Sequence, residues 1–193
     1  MDDKELHVIN HLVGSGRLAD AMTRSLDYCR RNPSDIDALY IVSMLCLELR
    51  DVQGAVRGIF RILELRPQDA EAYFHLGRAY TLQGNFAKAA ACYQRAIELS
   101  PALAEAYANL GHVLLSQCKI SESEAATRNA INLPANYDNR HLHLAALPRP
   151  TSGLARTYSN LLFTLSYNVL YTPERLLAEH REFDRYFGVY STL

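Results

Sequence analysis

Apolar and small residues recur three and four apart along most of the chain, and the pattern breaks at regular intervals. Between Ala70 and Leu103, the residues Tyr73, Leu76, Gly77 and Tyr80 share one helical face. Gly84 interrupts them, Ala89, Tyr93, Ala96 and Leu99 resume on a second face, and Pro101 stops the run. This spacing predicts a helical hairpin. Small Gly77 and Ala89 allow the two helices to approach closely, while Tyr73, Tyr80 and Tyr93 fill wider gaps and keep a hydroxyl for a partner.

The hairpin repeats. Pro33, Pro67 and Pro101 stand 34 residues apart, which divides the chain into units at 2–35, 36–69, 70–103 and 104–137. The second unit carries Leu39, Val42, Ser43 and Cys46, then Ala55, Ile59, Ile62 and Leu65. In the first, Val8, Ile9 and Leu12 precede Ala21, Ser25 and Tyr28, and Glu5 stands where an aromatic is expected, which suits an end repeat facing water. The fourth holds Tyr107, Leu110, Gly111 and Leu114, with Ser123 in place of the usual Ala and Pro134 one residue early. Ser121 with Glu124 reads as an S-x-x-E capping box.

An aromatic, Leu-Gly, an aromatic, Ala, an aromatic and a closing Pro over 34 residues resembles the tetratricopeptide repeat (TPR) signature. The resemblance implies an all-α, right-handed superhelical solenoid of about four hairpins over residues 2–137, with first helices lining a concave groove. Beyond it, residues 138–153 collect Asn, Pro, Gly and Ser and are expected to form an irregular insertion. Helical periodicity returns at Leu154–Tyr167, and Thr172-Pro173 marks the start of a second helix. A modified helix pair at 154–188 therefore caps the array, leaving a tail at 189–193.

A formal charge of -1 and a pI near 6.6 give no general attraction to nucleic acid or anionic membrane. No apolar run is long enough to span a bilayer, and the polar N-terminus is unlike a signal peptide, so a cytoplasmic location is expected. Four cysteines without a CxxC pair point to reduced thiols. His7 with His11, and His141 with His143, offer two ligands each and no third, so no metal is expected. No phosphate loop, GxSxG or HExxH motif is present; the chain reads as non-catalytic and without a cofactor.

Counting along each first helix at 3.6 residues per turn gives the side chains expected on the groove. They are Tyr40 and Met44 in the second unit, and Phe74, His75 and Arg78 in the third. Asn109 and His112 follow in the fourth, with Asn160 and Phe163 in the last hairpin. Aromatic anchors mixed with amides suit a protein or peptide ligand. The function expected is a non-catalytic scaffold for protein–protein interaction. Leu176, Phe183 and Phe187 give the last helix an apolar face through which a homo-oligomer is conceivable.

Asn109-Leu110-Gly111, the string Tyr158-Ser159-Asn160-Leu161-Leu162-Phe163 and the following TPERLLAEHREF are similar to the repeat region of O-linked N-acetylglucosamine transferases and Spindly-like relatives. That family holds the acceptor peptide backbone with a ladder of asparagines, which Asn109 and Asn160 match. His7, Ile41 and His75 occupy the earlier rungs. The resemblance implies an alternative role as the substrate-recognition region of a larger glycosyltransferase, its catalytic domain absent from this chain.

Overall fold

The structure is a computed structural model, and it describes residues 1–133, 153–168 and 170–187. The insertion expected at 138–153 lies outside them up to residue 152, as does the tail at 189–193. Ten helices are seen among the described residues: α1 (Asp3–Gly14), α2 (Leu18–Arg31), α3 (Ile36–Glu48), α4 (Val52–Leu65), α5 (Ala70–Leu82), α6 (Phe86–Leu99), α7 (Ala104–Ser116), α8 (Ile120–Asn132), α9 (Gly153–Ser166) and α10 (Pro173–Phe187). Helices α3, α5 and α7 begin at 36, 70 and 104, and α4, α6 and α8 at 52, 86 and 120, so the 34-residue period is a property of the backbone.

The turns explain that regularity. Inside each hairpin one residue adopts the left-handed conformation: Gly16, Arg50, Gly84 and Cys118, with φ of 75°, 62°, 71° and 61°. The N–H of the next residue then reaches back to a carbonyl of the first helix, as in Asp51 to Cys46 (2.8 Å) and Asn85 to Tyr80 (2.9 Å), closing a Schellman-type cap. Between hairpins the residue before each proline, Asn32, Arg66 and Ser100, leaves helical geometry (ψ 69°, 84° and 87°). The proline ring disfavours αR at the residue before it. Asp35, Asp51, Asp69 and Asn85 then each accept the N–H three residues on and start the next helix.

The chain divides into two compact units, whose described parts run over Met1–Ser100 and from Pro101 onward. In the first, α3 is apolar on every side and buried from Tyr40 to Leu47. Ile41, Met44, Leu45 and Leu47 pack with Ile9, Val13, Ala21 and Ala55. Tyr40 joins Ile59, Ile62, Ala72 and Leu76. Each fully buried aliphatic side chain contributes about 2 kcal/mol. Where α5 meets α6, a Cβ on Gly77 would lie 2.6 Å from the Tyr93 ring, so the glycine is what lets the ring lie flat against the helix. Between α3 and α4 the arrangement is reversed: Ser43 stands on the first helix and Gly58 on the second leaves room for its hydroxyl.

The second unit is built with more polar ties. Ser123 Oγ donates to the Gly111 carbonyl (2.7 Å) and brings α7 against α8. Leu161, Leu162 and Leu165 of α9 pack with Ile131, Tyr171, Leu176 and Phe183. Leu176 and Phe183, expected to offer a face to a second copy, are half-buried against α9. Thr172 Oγ1 accepts the Arg175 N–H (3.4 Å) at the start of α10, as the Thr-Pro pair predicts. The Ser121 capping box is not formed. Lys119 is the N-cap residue of α8 and makes no side-chain cap, which places Ser121 inside the helix.

Glu124 instead joins a network: it accepts from Tyr171 Oη (2.8 Å), Asn168 Nδ2 (2.8 Å) and Arg128 Nε (3.2 Å), and Arg128 Nη2 also donates to Glu179 (2.6 Å) and Tyr171 (2.6 Å). Burial alone would raise the Glu124 carboxyl; the hydrogen bonds from Tyr171, Arg128 and Asn168 outweigh it and hold the group below its ordinary range.

Candidate functional site

The first-helix face of unit one is mostly closed. Tyr40, Met44, Phe74 and His75 are 1%, 3%, 6% and 4% exposed. Helical position put them on the expected binding face, but their side chains act here as packing. Tyr40 Oη donates to Asp69 Oδ1 (2.6 Å), the same oxygen that accepts the Ala72 N–H (3.1 Å), so one carboxylate starts α5 and ties it to α3. Burial, then the Asp69 charge, pushes the phenol far above its usual range and keeps it a donor. Phe74 sits between His75 (5.0 Å) and Tyr93 (6.0 Å), ring centroid to centroid.

Arg78 is the candidate on this face that keeps contact with water. It is held loosely, with Glu48 at 3.6 Å and the Met44 sulfur at 3.9 Å. His75 Nδ1 lies 3.5 Å from its guanidinium, and burial moves that imidazole below its ordinary pKa.

In unit two the corresponding face is open. Asn109 and Asn160 are half-buried and His112 is exposed. His112 and Asn160 accept hydrogen bonds from Ser116 and Thr164 through their backbone carbonyls. On α9, Phe163 (54% exposed) stacks edge-on against Tyr167 (61% exposed) with centroids 5.0 Å apart. Asn160, Phe163 and Tyr167 lie three and four residues apart and so share one stripe of the helix. Leu170 and Leu177 are also exposed, at 73% and 51%, and nothing in the helical pattern distinguished them.

Burial pushes the thiols of Cys29, Cys46 and Cys92 up to about 11, which leaves them protonated and poor nucleophiles at neutral pH. Among the described residues no three His, Cys, Asp or Glu side chains are placed to hold a metal ion, and no helix is long and apolar enough to cross a membrane. His7 and His11 are both exposed, one turn apart on α1.

Helical hairpins that recur every 34 residues, each turned by a left-handed residue, define a repeat fold. Residues 77–117 match the family described as TPR repeat, so the repeat running through α5, α6 and α7 is a tetratricopeptide repeat. Among curated proteins none matches the sequence.

Solved structures share the fold over nearly the whole chain. A crystal structure of MamA superimposes with a TM-score of 0.73 at 19% identity, covering 98% of this chain and 99% of that one. YrrB, described as a TPR protein with an unusual peptide-binding site, gives 0.64 at 16% identity, over 96% and 86%. The O-GlcNAc transferase of Thermobaculum terrenum gives 0.65 at 25% identity, over 81% of this chain and 27% of that one. The protein thus has the all-helical fold of tetratricopeptide solenoids.

Proposed function

We propose that the chain is a non-catalytic scaffold that binds a protein or peptide through the concave, first-helix side of its hairpins. The observation that carries this is the open stripe of unit two, where Asn160, Phe163 and Tyr167 present an amide and an aromatic pair to solvent while Asn109 and His112 add polar groups on α7. Aromatic side chains anchor a ligand at low entropic cost, and side-chain amides pair with both N–H and C=O of an extended backbone. The likeness to YrrB supports a peptide as the ligand. In unit one, taken by itself, Arg78 is the accessible first-helix candidate, over the buried Tyr40, Met44, Phe74 and His75.

Co-precipitation followed by titration with the partner recovered tests the reading. Phe163→Ala and Asn160→Ala are each expected to weaken binding by roughly tenfold, as loss of a contact near the centre of an interface does. Binding unchanged in both variants and in Asn109→Ala moves the interface elsewhere.

A second reading is favoured by the likeness to the Thermobaculum enzyme, which covers most of this chain but about a quarter of that one. In it the chain serves as the substrate-recognition region of a larger O-GlcNAc-transferase-like glycosyltransferase. Extending the reading frame past Leu193 distinguishes the two: a nucleotide-sugar domain in the same frame supports the second reading, and a stop codon removes it.

A further inference from the structure

One imidazole in unit one lies between groups of opposite charge and makes a good bond to neither. His75 of α5 is 4% exposed. Its Nδ1 is 3.5 Å from Arg78 Nη1. A guanidinium only donates, so Nδ1 must accept and the proton of the neutral ring sits on Nε2. That nitrogen faces Glu71 Oε1 at 3.6 Å, too far for a hydrogen bond, and neither atom has another hydrogen-bond partner. Tyr40 and Met44 come from α3, with Glu48 of the same helix reaching Arg78; Phe74 flanks the ring on α5, and Asp69 stands at that helix's start.

We propose that Glu71, His75 and Arg78 form an acid-operated latch: protonation of His75 expels the Arg78 guanidinium and loosens α5 from α3. A proton on Nδ1 converts the one acceptor that faces Arg78 into a donor and sets two cations against each other in a poorly solvated place. The new charge is drawn the opposite way, toward Glu71, whose Oε1 is the nearest unused acceptor. Arg78 has Glu48, 3.6 Å away and half in solvent, to move toward. The two displacements run in opposite directions along α5 and act on the turn that carries Phe74 and Tyr40's cap partner Asp69.

Burial first of all opposes charging the ring, with the nearby Glu71 carboxylate working against it. The unfolded chain therefore takes up the proton at about pH 6.5 while the folded chain does not. Stability from this site is complete above that value and is lost as pH falls below it. This inference stands independently of what the scaffold binds.

Hydrogen exchange of the full chain, read by mass spectrometry at pD 7.5 and 5.5 after correction for the intrinsic rate, tests the latch. Peptides covering α5 are expected to exchange about tenfold faster at the lower pD, those covering α7 by much less. Arg78→Met keeps the imidazole and its burial but removes the opposing cation, and is expected to reduce the acid response measurably; His75→Phe removes it altogether. Equal protection of α5 at both pD values overturns the proposal, as does an Arg78→Met variant that opens like the parent. Should His75→Phe fail to fold, the titration of the His75 ring in the parent chain decides: a midpoint at or above about 6.5 contradicts the latch.

Discussion

The α5–α6 hairpin and the α7–α8 hairpin follow one 34-residue plan and are held together by different means. In the first, each signal is local. Asp69 and Asn85 cap the helices, Gly84 takes the left-handed turn without a Cβ, and the Tyr93 ring covers Gly77. In the second, Leu103 and Lys119 give no side-chain cap, Cys118 occupies the left-handed position, and Thr127 stands where Tyr93 does. Ser123 donating to the Gly111 carbonyl and the ties from Glu124 and Arg128 to Asn168, Tyr171 and Glu179 take over. A repeat keeps its backbone after losing its local signals when long-range polar bonds in its own unit replace them.

The largest test of this contrast is truncation of the two equivalent side chains. Tyr93→Ala should cost about 4 kcal/mol in urea denaturation, because a buried aromatic leaves a void over Gly77. Thr127→Ala should cost about 1 kcal/mol, the worth of its bond to the Ser123 carbonyl. Equal costs would mean that both hairpins rest on the same kind of packing.

Arg128→Ala comes next, at about 2 kcal/mol, since it takes the cation away from Glu179 and leaves Glu124 with only Tyr171 and Asn168 as donors. Solvent reaching the guanidinium keeps the loss below that of a fully buried pair. Glu124 titrates below its ordinary range in the folded chain, so its contribution is present above about pH 4.3 and is lost as pH falls through the folded value. Acid unfolding of Arg128→Ala should therefore depend less on pH than that of the parent.

Gains are expected at the missing signals. Leu103→Asp supplies the cap that Asp69 gives one repeat earlier and should add about 1 kcal/mol. Cys118→Gly relieves a left-handed non-glycine residue and should add slightly less, a rise of about 2 °C in the melting midpoint. The same change at Gly84 in reverse, Gly84→Ala, should lower it.

Much of the architecture was legible because it rests on short-range chemistry. Pro33, Pro67 and Pro101 force the preceding residue out of helix, and Gly77 marks a close approach, so period and hairpins follow from spacing alone. The left-handed turns at Arg50 and Cys118 were not legible, since neither is glycine. Ser121 misled for a related reason: the box pattern is met in sequence, but the turn through Cys118 starts α8 at Ile120.

For the candidate site, helical counting placed Tyr40, Met44, Phe74 and His75 on a face without revealing that the face is buried in unit one. It placed Asn109, His112, Asn160 and Phe163 on one that stays accessible in unit two. Periodicity supplies direction along a helix, whereas burial depends on what packs against it. The Glu124–Arg128–Tyr171–Glu179 network joins residues up to 51 apart in the chain and leaves no local trace.

Binding of polypeptide on the first-helix side is tested most directly by mapping amide and methyl NMR shifts of the full chain during titration with a peptide selected from a random display library. The expected result is that shifts concentrate on α7 and α9 around Asn109, His112, Asn160 and Phe163. Shifts confined to the second helices α6 and α8, or a library that yields no binding peptide, would contradict it.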